Sequence, residues 1–309
     1  MKTTPSILRS LWIATGALCM AHAASAAAPI ATMPELVTLD GILHPDSDDT
    51  LAFTPDGNTV LFDRSEGSRK TIMISRKVNG AWSVPQVASF SGRWFDQDPV
   101  VAPDGSYMLF DSDRPVTSGG TPLVQSYFNR GRPAPGANIW KVERKGDGWG
   151  SPVWLGPVVN NDVFIDFASV AADGTLYFTR WDTNQKIMRM WRSAYRNGTY
   201  QSPVSAEVGD PAVSIHDPAV APDQSFILFD YGKVKGGLGR LCIAFPQGEG
   251  WSKPMDLGDI INKDVPWGAH LAPDGQTVYF TGQSGIWQLS LTPLLLQRRR
   301  QQLAANAVD

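Results

Sequence analysis

Short apolar and aromatic runs recur along the chain, each preceded by a tight turn rather than embedded in a helical stripe. Thr59-Val60-Leu61-Phe62, Tyr107-Met108-Leu109-Phe110, Leu176-Tyr177-Phe178, Phe226-Ile227-Leu228-Phe229 and Val278-Tyr279-Phe280 have the length and composition of strands. The preceding turns are Thr54-Pro55-Asp56-Gly57, Ala102-Pro103-Asp104-Gly105, Ala171-Ala172-Asp173-Gly174, Ala221-Pro222-Asp223-Gln224 and Ala272-Pro273-Asp274-Gly275. Asp caps backbone N–H groups in such a turn and Gly supplies positive φ, so the motif predicts a hairpin without requiring any chemistry. The turn Asp residues are 48, 69, 50 and 51 residues apart, a spacing typical of propeller blades.

A third strand is expected in every repeat, at Ile72-Met73-Ile74, Ile139-Trp140-Lys141-Val142, Met188-Arg189-Met190-Trp191, Leu241-Cys242-Ile243 and Ile286-Trp287-Gln288-Leu289. An aromatic and a proline then introduce a short outer strand, at Trp82/Pro85, Trp149/Pro152, Tyr200/Pro203 and Trp251/Pro254; Pro is tolerated at a sheet edge. The long second interval reflects an 18-residue insertion within residues 115–137, rich in Gly, Pro and polar residues, which reads as a surface loop. The fifth repeat ends at Leu291-Thr292-Pro293 without a fourth strand, while Pro34-Glu35-Leu36-Val37-Thr38-Leu39 resembles the other outer strands. The expectation is an all-β propeller of five four-stranded antiparallel blades, with the N-terminal strand closing the last blade. Such closure removes exposed sheet edges. Six blades, one too divergent to see, is the alternative.

Composition adds compartment and partners. Lys2 and Arg9 precede the apolar run Leu11–Met20 and small residues follow, so residues 1–26 read as a secretory signal peptide, too short to span a bilayer. Residues 34–293 then form one propeller domain, residues 294–309 a helical or frayed tail, and the location is periplasmic or secreted. Without Lys2 and Arg9 there remain 25 basic residues against 30 acidic ones, giving no basic footprint for nucleic acid. Cys19 leaves with the signal peptide, so Cys242 is left without an intramolecular disulfide partner. A monomer with no membrane span in its mature form, and no cofactor, is expected.

The repeated Ala-Pro-Asp-Gly turn, aromatic strand and Ile-Trp strand resemble the WD-repeat-like propeller of the TolB family over residues 34–291. The resemblance implies the fold and, through it, a binding scaffold engaging protein, peptide or glycan on one face. TolB itself has a six-bladed propeller and an additional N-terminal α/β domain, two points on which this chain departs from it.

In a propeller, the loops before the inner strands and those after the second strands share one face. Asp63, Arg64, Asp111, Asp113, Arg114, Arg180, Trp181, Asp182, His216, Asp217, Asp230, Trp267 and His270 are placed there as candidate binding residues. Their other role would be to tie neighbouring blades together, as buried polar groups must be satisfied. The alternative function is a glycoside hydrolase using Asp49, Asp98 and Asp166 across the channel. No zinc-ligand spacing, phosphate loop or Gly-x-Ser-x-Gly elbow is present, so no metal site is expected.

Overall fold

The computed structural model describes residues 33–127, 132–232, 239–263 and 265–306. The expected signal peptide lies outside these residues. Five antiparallel sheets follow one another along the chain. Their innermost strands are Asp48–Phe53, Asp96–Val101, Ile165–Val170, Ser214–Val220 and Trp267–Leu271. Blade 1 continues through Thr59–Glu66 and Arg69–Val78 to the outer strand Gln86–Val87, and the other blades repeat this order. In blade 5 the outer position is filled by Glu35–Leu36, which pairs with Gly285–Ser290 through Glu35 opposite Gln288 and Leu36 opposite Trp287. This is the closure the sequence predicts.

All five turns use the same device. The Oδ1 atoms of Asp56, Asp104, Asp173, Asp223 and Asp274 accept from the amides two residues on, at 2.8–3.0 Å. The next residue is left-handed in every turn, including Gln224 (φ 57°) where the others have Gly. One detail differs from expectation. Trp82, Trp149 and Trp251 each close a two-residue hairpin, and the outer strand starts beyond the following proline.

Alternation along the second strands sets the packing. Phe62, Phe110, Phe178, Phe229 and Phe280, all at most 2% exposed, face the preceding blade. The residue after each one faces the opposite way, toward the following blade. The hydrophobic core is therefore five main layers, one in each gap between blades, with a smaller cluster of Ala137, Phe164 and Met188 under Tyr127 and Trp181. Beyond the last strand, the helix Thr292–Asn306 lays Leu294 and Leu295 on the layer between blades 4 and 5, with Arg298 over the Phe245 ring at 5.1 Å. No helix among the described residues is long and apolar enough to cross a membrane.

Cys242 lies in the layer between blades 3 and 4, and burial pushes its thiol up to about 12. We expect the folded chain without residues 1–26, and so without Cys19, to resist a thiol-disulfide reagent near pH 8 and Cys242 to react once guanidinium unfolds it. Rapid labelling of Cys242 under native conditions would contradict this packing.

Candidate functional site: an acidic channel and its rim

The innermost strands surround the channel, and each has an irregularity in its pairing near its start. The residue there is left-handed in every blade: Thr50 (φ 42°), Asp98 (51°), Phe167 (53°), Asp217 (50°) and Gly268 (61°). For a residue other than Gly this conformation costs on the order of 1–3 kcal/mol. The bulge turns a backbone amide toward the preceding blade. Phe167 N–H donates to Asp111 Oδ2 (2.7 Å), Gly268 N–H to Asp217 Oδ2 (2.6 Å), and Thr50 N–H to Thr281 Oγ1 (3.3 Å) across the ring closure.

Strand register then concentrates carboxylates. Asp63 lies opposite Asp49, Asp111 opposite Gln97 and Asp230 opposite His216. With Asp98, Asp166 and Asp217 these acids form a group in which Asp63, Asp98, Asp111, Asp166, Asp217 and Asp230 are all buried. Burial pushes all six carboxyls above their ordinary range; the negative charge of Asp63 adds to this at Asp98, that of Asp166 at Asp111 and that of Asp217 at Asp230. Asp217 is raised to about 7. The Lys70 ammonium reaches the group, 2.6 Å from Asp63 Oδ2 and 3.0 Å from Asp49 Oδ2. Burial alone would lower Lys70, but the charges of Asp63, Asp98 and Asp49 hold it above its usual value.

The predicted rim residues divide into two sets. Arg64 grips Asp48 with two hydrogen bonds of 2.6 and 2.7 Å. Arg114 reaches Asp96 (2.6 Å), Ser112 Oγ (2.9 Å) and the Phe90 carbonyl (3.2 Å). Asp182 pairs with Arg189, and Asp113 accepts from the Phe95 amide. These groups hold strand ends in place. His216 lies 3.0 Å from Ser214 Oγ, and burial brings its imidazole down to about 4. Trp267 is half-buried opposite Thr281.

His270 is not with the others. It lies beyond its strand's bulge, where the chain has advanced toward the turns. There it lines a cavity of about 120 Å³ at the opposite mouth, among Leu51, Val100, Pro218 and Pro273. Burial holds its imidazole down to about 4.

Arg180 and Trp181 belong to a cleft of about 290 Å³ whose lining includes Asp162, Asp182, Asn184 and Trp191. The insertion packs against its Trp181. Its hairpin, Val124–Gln125 with Ala134–Pro135, brings the Tyr127 ring parallel to Trp181, 5.8 Å between centroids. Tyr127 Oη donates to Asp162 Oδ1 at 2.7 Å. Arg180 lies 3.8 Å over the Trp191 ring, and burial lowers its guanidinium from the usual value. The insertion thus sits over the seam between blades 2 and 3, where Ala137 N–H also donates to the Val163 carbonyl (3.0 Å).

The Asp49, Asp98 and Asp166 trio is split. Asp49 pairs with Lys70, while Asp98 and Asp166 are 3% and 2% exposed against Asp111. A sugar ring flanked by an acid and a nucleophile needs both carboxyls open to a cleft, and these two are closed. Sequence reading missed Lys70 and Tyr127, which sit in an ordinary charged hairpin and a low-complexity loop. The strained bulges did have a signal: Asp98-Pro99-Val100-Val101-Ala102-Pro103-Asp104 and Asp217-Pro218-Ala219-Val220-Ala221-Pro222-Asp223 share one pattern in register.

No family model matches the chain, and no curated protein matches it. Solved structures do. A thermostable family-43 glycoside hydrolase superposes with a TM-score of 0.53 at 12% identity, over 79% of this chain and 88% of that one. A putative TolB from Agrobacterium tumefaciens gives 0.49 at 15% identity, over 80% and 76% of the two chains. TolB from Acinetobacter baumannii gives 0.44 at 18% identity over 70% of this chain, which spans only 46% of that protein. At such identities the likeness is one of fold, and it places this chain among the β-propellers.

Proposed function

We propose that this protein is an exported binding scaffold that engages a peptide, protein or glycan at the cleft between blades 2 and 3. The stacked Tyr127–Trp181 pair beside Asp162, Arg180 and Asp182 carries this reading. An aromatic platform with charged groups at its edge suits a sugar face or an extended peptide. Its parts come from loops and strand ends, where binding residues are commonly placed. The closed channel acids support binding over glycoside hydrolysis.

Immobilised glycan and peptide panels probed with the wild-type chain and a Trp181→Ala variant test the reading. Binding should fall roughly tenfold or more in the variant, the loss expected of an aromatic anchor, measured at a temperature where the variant is still folded, because Trp181 also packs on Phe164 and Met188. Nitrophenyl-glycoside turnover that disappears in a folded Asp98→Asn or Asp166→Asn variant would overturn the scaffold reading.

A further inference from the structure

We infer that the channel holds a hard divalent cation between Asp98, Asp111 and Asp166, clipping blade 2 to blade 3. Oxygens of these three carboxylates lie within 4.8 Å of one another. They come from the innermost and second strands of blade 2 and the innermost strand of blade 3, so one ion between them would bridge two sheets. Two further observations point to a ligand. No donor group reaches the buried oxygens Asp98 Oδ2 and Asp111 Oδ1, in residues 3% and 0% exposed, and the Asp111 and Asp166 carboxyls lie within hydrogen-bond reach of each other. An unpartnered buried carboxylate oxygen is costly unless it is protonated, paired or bound to metal.

Two of the other oxygens are already oriented. Asp111 Oδ2 accepts from Phe167 N–H and Asp166 Oδ1 from Gln97 Nε2 (3.3 Å), as outer partners orient metal-binding carboxylates. Lys70 acts on Asp98 through its charge but makes no contact with the three carboxylates. Its ammonium is engaged at Asp63 and Asp49, on the blade 1 side of the channel. An all-oxygen, carboxylate-rich set selects a hard cation, Ca²⁺, Mg²⁺ or Mn²⁺, over zinc or copper.

The competing account is that these acids share protons and bind nothing. Stripping the purified full chain with chelator and titrating Ca²⁺ by calorimetry separates the two, with parallel thermal melts in Ca²⁺, Mg²⁺, Mn²⁺ and chelator. We expect about one ion bound per chain and, at 100-fold excess over the dissociation constant, a melting point raised by roughly 5–10 °C. Asp98→Asn should abolish that rise and still melt cooperatively in chelator, because it removes one buried charge. Asp166→Asn provides a second variant should Asp98→Asn fail to fold. Anomalous scattering from Mn²⁺ in crystals should place the ion between the three carboxylates. The inference is overturned if none of the three cations binds saturably or raises the melting point, or if a folded variant responds as the wild type does. It does not depend on the blade 2–3 cleft, so loss of glycan or peptide binding in Trp181→Ala leaves it standing.

Discussion

A chain beginning at Pro45 should be largely unfolded or aggregated under conditions where one beginning at Met33 is a stable monomer. The missing segment contains Glu35–Leu36, the outer strand of blade 5. Without it the ladder loses the Val37 N–H bond to the Ile286 carbonyl (2.8 Å). The segment also carries Leu43, 9% exposed, and Val37, Leu39 and Ile42, which pack on the layer of Leu51, Val60, Phe62 and Ile286 between blades 5 and 1. Full burial of one such side chain contributes about 1.5–3 kcal/mol, so one buried and three partly buried residues amount to roughly 5 kcal/mol. That is a large share of the ~5–15 kcal/mol that holds an ordinary domain folded. Truncation also exposes the edge of Gly285–Ser290 to strand pairing between molecules. Guanidinium unfolding and size-exclusion chromatography of the two chains measure both effects; equal midpoints would show that the ring holds without its closing strand.

Arg114→Ala should cost about 3–5 kcal/mol, the range for removing one partner of a buried ion pair. Arg114 is 7% exposed and Asp96 is fully buried. The guanidinium lies over the Phe110 and Trp140 rings, at 4.8 and 5.3 Å from their centroids. It bonds Asp96, Ser112 and the Phe90 carbonyl together, fixing the loop that leads into blade 2. A lysine has one compact ammonium and cannot span these acceptors while stacking on two rings, so Arg114→Lys should recover little. Adding Asp96→Asn to Arg114→Ala should return part of the loss, because most of it is the stranded carboxylate. Urea denaturation of the two single variants and the double variant gives the coupling. Strict additivity would mean that the pair does not act as a unit.

Arg114 illustrates how far sequence alone carries the site. Its place at or just after the end of the second strand is shared by Arg64, Asp113, Arg180 and Asp182. Whether a polar side chain there is spent on the fold or available to a ligand depends on its distance from groups in other strands. Arg64 and Arg114 meet Asp48 and Asp96 and serve the scaffold. Arg180 meets Trp191 in a cleft whose Trp181 stacks on Tyr127 from the insertion. His270 follows the same rule. Its neighbours in sequence suggested the rim, but the bulge carries it to the opposite mouth.

The sequence by itself determined the architecture. Turn chemistry, two-residue alternation and a period near 50 residues are local properties, and the same local answer repeated five times leaves ring closure as the way to cover the edges. The N-terminal strand was legible for the same reason, as the piece missing from the last repeat. The acidic channel was decided by the tertiary structure. Asp98, Asp111 and Asp166 are separated by 13 and 55 residues in the chain, and only strand pairing, the left-handed bulges and the packing of blade against blade bring their oxygens within 4.8 Å. Repulsion among buried charges is a property of that convergence, which residue types and spacing along the chain do not encode.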